Sequence, residues 1–530
     1  MTATAPHRTR ARAGRYGFGR LVRAEWTKLR TVRGWVIGIA LAPLLIVGLG
    51  FLYSSATCSG SGPDRGCPAP PIGPGGVAVT DTFSFAHQAL AGNGTITARM
   101  TSLTGEYSPN GRGLPANGTP GGRLKAGVQP WSKAGIMVSA STAPGSAYAA
   151  MLVTGGKGVR MQWNYTGDSP GLPGKVSASL PRWLRLARSG DTITGYDSPD
   201  GRHWTELNRV VLNGLPPTAQ VGLFATSPSY QLLAPVGSPS YKVGPSLATG
   251  TFDPVHLAFA DASGSWTRTS VGAGGSGTFA SGPSSFTHSG ARFTVTGSGD
   301  IAPDQPEAPQ GAGIEAEPTL QFGLPVSLIP VAIVAALFMT AEYRRGLIRL
   351  TFAASPRRGR ALAAKAVLIG LATFVAGLVG AGIALLLGIQ RLRGSGDFVL
   401  GTSPLTEIRM VVGVAAVLAV TAVLALALGT LARRGVTAVT VVIAVIFLPT
   451  LLATLPGLLP PVAQEWLLRV MPPAAIAVAQ DVPAYHQVIA QVSPPDGYFP
   501  LTWWAGLAVL CAWAAIALGG ATYVLRRRDV

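Results

Sequence analysis

Trp35-Val-Ile-Gly-Ile-Ala-Leu-Ala-Pro-Leu-Leu-Ile-Val-Gly-Leu-Gly-Phe-Leu-Tyr53 decides the fold, because it runs for nineteen residues without a charge. A helix rises about 1.5 Å per residue, so the run reaches about 30 Å, the thickness of a bilayer's hydrocarbon core. Five later runs read the same way: about Phe322 to Ala341, Ala366 to Ile389, Met410 to Leu431, Val436 to Leu455 and Leu501 to Leu525. Trp503 and Trp504 at the start of the last run suit a membrane interface. Pro43, Pro325 and Pro330 would be out of place in soluble helices but are tolerated in spans, where neighbouring helices satisfy the freed carbonyls. The competing reading of the first run is a signal peptide. The run exceeds a usual signal core, and no Ala-x-Ala-like cleavage site follows Tyr53.

Composition agrees. Of 530 residues, 48% are hydrophobic and 12% charged, against about 25% charged in a typical soluble domain. That excludes a disordered chain. Gly (68) and Pro (42) are nevertheless abundant, so apolar bulk and loop-rich polar sequence occupy different regions, and the length favours more than one domain.

The net charge of +19 raises the question of a nucleic-acid partner. Position answers it. Residues 1–34, 342–365, 433–434 and 526–529 together carry +18, and their only acids are Glu25, Glu342 and Asp529. Residues 54–321 carry +2, and the loops 390–409 and 456–500 together carry −1. In a six-span chain the basic segments all fall on one side, which the positive-inside rule makes cytoplasmic. Both termini are then cytoplasmic, residues 54–321 lie outside, and basicity no longer argues for nucleic acid.

The fold class expected is a polytopic α-helical membrane protein of six spans with a large extracytoplasmic all-β jelly-roll or sandwich domain. Residues 1–34 form a cytoplasmic N-terminus with an amphipathic interface helix, and 35–53 form span 1. Residues 54–321 are the external insertion, and 322–530 carry spans 2–6 with a loop at 342–365. In the insertion, 54–76 is a Ser/Gly/Pro linker. Short alternating runs follow from Val77, among them 94–100, 133–138, 148–153, 158–163, 182–187 and 191–196, as half-buried strands do. Asp197-Ser-Pro-Asp-Gly201 is a turn signal. Segments 221–225 and 250–257 read as closing strands, 259–300 holds further strand-like pieces, and 301–321 leads back to the membrane as an acidic, Pro-rich linker.

Cys58 and Cys67, nine apart on the outer side, permit a local disulfide in an oxidising compartment; two free thiols is the other reading. Cys511 falls in the sixth span and is expected as a small buried apolar residue. No His/Cys cluster has metal-ligand spacing.

The order Pro130-Trp-Ser-Lys-Ala-Gly-Ile-Met, Pro181-Arg-Trp-Leu-Arg-Leu-Ala-Arg-Ser-Gly and Asp200-Gly-Arg-His-Trp204 resembles lectin-like domains of the concanavalin/laminin-G type, over about 77–258. The resemblance implies a jelly roll and a glycan as partner. It makes Trp131, Trp163, Trp183 and Trp204 candidate sugar-stacking residues, although aromatics at strand positions more usually fill a core. No carboxylate pair at an evident catalytic spacing points to a glycosidase.

The cytoplasmic segments carry the functional signal. In Gly19-Arg-Leu-Val-Arg-Ala-Glu-Trp-Thr-Lys-Leu-Arg-Thr-Val-Arg33, residues Leu21, Val22, Glu25, Trp26, Leu29 and Val32 follow helical spacing, and only Glu25 breaks the apolar stripe. An amphipathic helix of this kind lies at a lipid surface. Glu342-Tyr-Arg-Arg-Gly-Leu-Ile-Arg-Leu-Thr-Phe-Ala-Ala-Ser-Pro-Arg-Arg-Gly-Arg360, then Lys365, joins spans two and three; its plain reading is a charged connector.

Together these segments resemble permease subunits of type-2 ABC (ABC-2) exporters, through Glu342, Gly346, Thr351, Ser355, Pro356, Arg357, Arg358 and Lys365. The segment 457–479 resembles the outer re-entrant or surface helices that precede the last span in that family. The resemblance implies a bacterial cytoplasmic membrane and a non-enzymatic transport subunit. It also implies an ABC ATPase partner and pairing as a homodimer or with a second permease. Trp26, Glu342, Arg345, Gly346, Ser355, Arg357 and Arg358 would serve ATPase coupling. The long external insertion departs from the family pattern. The sequence contains no Gly-rich loop ending in Gly-Lys-Ser/Thr, so no cofactor is expected on this chain, and ATP and magnesium belong to the partner. No ionisable residue falls near the centre of a span, which favours energy input from outside the spans and hints at an apolar or amphipathic cargo. The alternative is a membrane-anchored carbohydrate-recognition or sensor protein.

Overall fold

The computed structural model describes residues 18–54, 69–109, 124–232, 242–259, 264–272, 284–304, 318–344, 358–394, 399, 401–455, 458–480, 485–488 and 501–527. Among them, six helices are long and apolar enough to cross a membrane. They are α2 (Arg33–Tyr53), α4 (Gly323–Arg344), α5 (Arg358–Gly394), α6 (Pro404–Ala432), α7 (Gly435–Thr454) and α9 (Trp503–Arg527). The shorter helices are α1 (Phe18–Thr31), α3 (Pro318–Gln321) and α8 (Pro461–Val470). A 3-10 helix, Pro472–Ala479, follows α8 and is buried along its whole length. The long helices match the expected runs within a few residues, except α5. At 37 residues it reaches about 55 Å, well beyond a 30 Å hydrocarbon core.

Small residues set the helix spacing, as they do where backbones must approach in a membrane. A Cβ on Gly380 would lie 2.7 Å from the Pro43 Cα, one on Gly377 2.7 Å from the Ala415 Cα, and one on Gly323 2.5 Å from the Ile46 Cα. Trp35 and Phe338 meet edge-on with centroids 5.0 Å apart, closing α2 against α4.

The β region is two antiparallel sheets. One runs β11-β10-β9-β3-β15-β18-β17, with β4 on β3; the other runs β16-β2-β12-β5-β6-β7-β8. Their ranges are β2 (Phe83–Ala91), β3 (Gly94–Tyr107), β4 (Lys125–Ala126), β5 (Lys133–Ser139), β6 (Tyr148–Thr154), β7 (Val159–Trp163) and β8 (Gly167–Pro170). The chain continues through β9 (Arg182–Ser189), β10 (Thr192–Ser198), β11 (Thr205–Val211), β12 (Thr218–Thr226), the separate two-stranded pair β13 (Tyr230–Leu232) and β14 (Lys242–Gly244), then β15 (Ser246–Ala258), β16 (Thr267–Val271), β17 (Ser285–Ser289) and β18 (Arg292–Gly297). One core fills the space between the sheets, with Ile96, Met100 and Leu184 from the first meeting Ile136, Met151 and Leu223 from the second. Strands 267–297 pair into both sheets, so the sandwich does not end at 258 but extends to 297.

β5 and β6 are buried on both faces, which explains why they read as continuous apolar runs while β9 alternates. Their second face carries a smaller aromatic core with Phe85, Tyr148, Tyr165 and Phe224. Over it lies a two-stranded ladder of β1 (Val79–Asp81) and β19 (Ile301–Pro303), which joins the first and last strands of the insertion. Lys133, fully buried, reaches this seam: its Nζ donates to Asp300 Oδ1 at 2.8 Å and to the Ile301 carbonyl at 2.7 Å.

Candidate functional site

α1 lies against the bundle through Val22 and Leu29. Glu25 falls on the same face, one turn from each, and is only 6% exposed. Trp26, read on the same stripe, points the other way at 47% exposure. The stripe that meets the protein is therefore Val22, Glu25 and Leu29, and the Trp26 indole is left at the surface.

A carboxylate buried on an amphipathic helix needs a partner. Two lysines supply it. Lys365, 2% exposed in α5, places Nζ 2.6 Å from Glu25 Oε2 and 2.7 Å from Glu342 Oε1. Lys28, one turn after Glu25, places Nζ 3.0 Å from Glu25 Oε1 and 2.9 Å from Glu342 Oε1. The four groups form a closed square with no net charge, and the ring of Phe338, one turn before Glu342, faces Lys365 Nζ at 4.8 Å. Three corners are buried; Lys28 forms the open edge, its side chain 43% exposed. Partial burial opposes the charge on Lys28, but the Glu342 and Glu25 carboxylates outweigh it and raise the ammonium pKa above its ordinary value.

The square joins three elements distant in sequence: α1, the last turn of α4 and the third turn of α5. These flank the connector between spans two and three. Arg358, at the far end of that connector, donates from Nη1 to the Leu525 carbonyl at 2.8 Å and so ties α5 to the end of α9. Arg433 stands 5.7 Å from the ring of Tyr343. Direct contacts at this end of the bundle therefore tie α1, α4, α5 and α9 together.

Of the coupling residues expected from sequence, Trp26, Glu342 and Arg358 are placed around this end of the bundle. Arg345, Gly346, Ser355 and Arg357 lie outside the described residues, as do Cys58 and Cys67. Glu342 is buried beneath its two lysines and is not presented at the surface. Sequence reasoning passed over Lys28 as a partner and took Glu25 as an interruption. The signal was there: a lone acid in an apolar stripe, three residues before a lysine.

The four tryptophans divide into three places. Trp131 is buried, with the Arg160 guanidinium 5.5 Å and the Lys157 ammonium 6.0 Å from its ring. Trp163 packs over its own turn at Gly167. Trp183 and Trp204 come together at Gly201, where φ is +74°. A Cβ there would lie 2.7 Å from the Trp183 ring, and Trp204 Nε1 donates to the Gly201 carbonyl at 3.1 Å. The Arg185 guanidinium stacks 3.8 Å over Trp204, with Nε donating to Thr97 Oγ1 at 3.2 Å. Among the described residues no group of three His, Cys, Asp or Glu could hold a metal.

No family model matches this chain, and no curated protein matches it. Among solved structures it is similar to a functionally unknown protein from Saccharomyces cerevisiae, at 14% identity over 35% of this chain and 72% of that one, with a TM-score of 0.19. It is similar to SCP-B, a member of the eqolisin family of peptidases, at 8% identity over 41% of this chain and 98% of that one, with a TM-score of 0.24. A GH43 protein from Bacillus licheniformis follows at 15% identity over 32% and 28%, with a TM-score of 0.18. At these scores no likeness carries an argument.

Proposed function

We propose that this chain is the permease subunit of an ATP-binding-cassette exporter of the ABC-2 type. It moves cargo across a bacterial cytoplasmic membrane and is driven by a separate ATPase. The single observation that carries the reading is the buried square Glu25–Lys28–Glu342–Lys365. A surface helix with no transport role needs only lipid contact. Here α1 is instead locked by charge to the two helices that emerge from the basic connector. That arrangement suits a chain in which an external motor pushes on the connector and the push must reach several spans at once. The lack of a phosphate-binding loop supports a motor on another polypeptide.

In this reading both termini and the connector face the cytoplasm, and the sandwich stands outside. Two copies, or one copy with a sister permease, pair with two ATPase subunits. Trp26 and the connector meet the ATPase, while the square passes its movement inward. The test is co-expression with a P-loop ATPase encoded beside it and purification in mild detergent. Retention of the ATPase by the intact chain, and its loss when Arg357→Glu and Arg358→Glu reverse the connector's charge, is the expected outcome. A chain that purifies alone with the ATPase present argues against the reading, as does an Arg357→Cys variant labelled from outside intact cells.

A second reading is a membrane-anchored glycan-binding protein. It is favoured by one observation: Trp183 and Trp204 converge at Gly201 with Arg185 on the same strand as Trp183. Glycan binding lost in a Trp183→Ala, Trp204→Ala chain, with no ATPase bound to either form, would favour this alternative.

A further inference from the structure

The opposite end of the bundle holds a cavity of about 190 Å³ enclosed by four spans and the 3-10 helix. Its inner wall is buried and almost entirely hydrocarbon: Leu328, Val417, Ile446, Ile476 and Leu510. Among the described residues no ionisable side chain lines it; the polar side chains on its wall are neutral, those of Gln321, Thr421 and Thr450. An apolar cavity of about 150 Å³ stays dry and takes benzene, so this slightly larger one suits a hydrocarbon guest better than water.

Depth and opening narrow the guest further. Leu328, Ile446 and Leu510 lie five to eight residues from the ends of their helices nearest the β region, or about 8–12 Å along the axis. That is hydrocarbon depth, inside the interface. The lining residues with surface exposure are Phe322 and Pro325 at the start of α4 and Phe447 and Thr450 in α7. The mouth therefore opens sideways between α4 and α7, where bilayer chains lie. Pro449, inside α7 between two lining residues, removes a backbone donor there.

We infer that this cavity is a binding site for the alkyl chain of an uncharged or amphipathic lipid-class molecule, admitted laterally between α4 and α7 from the leaflet nearer the β domain. As a cargo site it rests on the transport reading; as a lipid-chain site it does not. A charged head group stays at the interface, since nothing in the wall would neutralise it.

The test uses the full chain in nanodiscs with a trace of phosphatidylglycerol bearing a diazirine on its acyl chain. After photolysis, adducts are mapped by mass spectrometry. Adducts are expected on Ile446, Ile476 and the neighbouring cavity wall. Ala475→Leu, which fills the space, should reduce these about tenfold and leave adducts on Leu448 and Leu451, on the outer face of α7, unchanged. Those outer adducts also report that the variant is folded. Thr421→Val keeps the volume and should keep the labelling. Adducts confined to Leu448 and Leu451 would overturn the inference, as would cavity adducts unchanged by Ala475→Leu. Links from Phe322 or Phe447 to a second copy would also overturn it, because that mouth would then be sealed by protein. Cavity labelling without a bound ATPase would leave the site standing and remove the transport reading; a bound ATPase without cavity labelling would do the reverse.

Discussion

Lys365 Nζ lies 2.6 Å from Glu25 Oε2, a contact between residues 340 positions apart. Lys365 also binds Glu342, and Lys28 bridges the same two carboxylates. Removing one member leaves an uncompensated buried charge, which typically costs about 3–5 kcal/mol. Replacing a whole pair by apolar groups is often nearly neutral. Lys365→Met should therefore lower the unfolding midpoint in detergent sharply. Lys365→Met with Glu25→Leu should recover most of the loss, leaving Lys28 and Glu342 as a pair. Additive losses in this double-mutant cycle would mean the square is not a coupled unit.

The same square predicts where α1 lets go. With Lys365→Met, α1 loses its buried tie to α5 and keeps Val22, Leu29 and the half-exposed Lys28–Glu342 bridge as described anchors on the bundle. Limited proteolysis after Arg30 or Arg33 should accelerate in this variant and return toward the native rate with the added Glu25→Leu. An unchanged cleavage rate would place the hold on α1 elsewhere.

Asp81 gives the external domain a pH dependence. Burial raises its carboxyl to about 6, against the hydrogen bonds it accepts from the Tyr165 hydroxyl and the Gly145 amide. The folded state then holds a proton that the unfolded chain releases between about pH 4 and 6. The native state binds more protons in that window, so the contribution of Asp81 falls as pH rises through it. Two units correspond to roughly 3 kcal/mol. Asp81→Asn keeps an acceptor for Tyr165 and removes the titration. Subtracting its melting profile from the wild-type profile between about pH 4 and 7 should leave a difference that falls as pH rises; a flat difference would refute the assignment.

Glycine positions separate tight from loose helix contacts. A Cβ on Gly377 would lie 2.7 Å from the Ala415 Cα, so Gly377→Ala must push α5 from α6, at about 1–3 kcal/mol. Gly382 and Gly519 have nothing within 4 Å. Alanine there should be tolerated, and helix propensity should gain about 1 kcal/mol. Thermal melts of the three variants in one detergent check the contrast.

The long helices were legible because composition alone sets them: a run of about twenty apolar residues has few alternatives. The sandwich was legible where strands alternate, as in β9, and less so in β2, where the polar His87 and Gln88 are themselves buried. His87 is held there by Gln220 at 2.7 Å and Thr269 at 2.9 Å, partners that only the sheet register brings close. The role of β18 was hidden for the same reason, since its pairing with β15 depends on a chain return of some forty residues. Glu25 was visible as an anomaly, but its partner Lys365 could not be found by spacing. The four tryptophans looked equivalent in sequence, and the fold separates them because Trp131 precedes a buried strand while Trp183 lies on an alternating one.

Gln487 makes the last prediction. It stands between the 3-10 helix and α9, is 2% exposed, and donates from Nε2 to the carbonyl of Tyr165 at 2.6 Å. Tyr165 itself holds a positive φ of 67° and grips Asp81 through its hydroxyl at 2.8 Å. One hydrogen bond thus joins the segment before the last span to the β1–β19 seam, where the insertion closes. Gln487→Ala leaves a buried carbonyl without this donor, a cost of about 1–3 kcal/mol. The loss should appear locally, as faster amide exchange at 485–488 and around Tyr165, with little change in the strands of the central core. Exchange unchanged at both places would mean that the sandwich is not held to the bundle through this contact. Faster exchange throughout the sandwich would mean that the contact supports the whole domain rather than its seam.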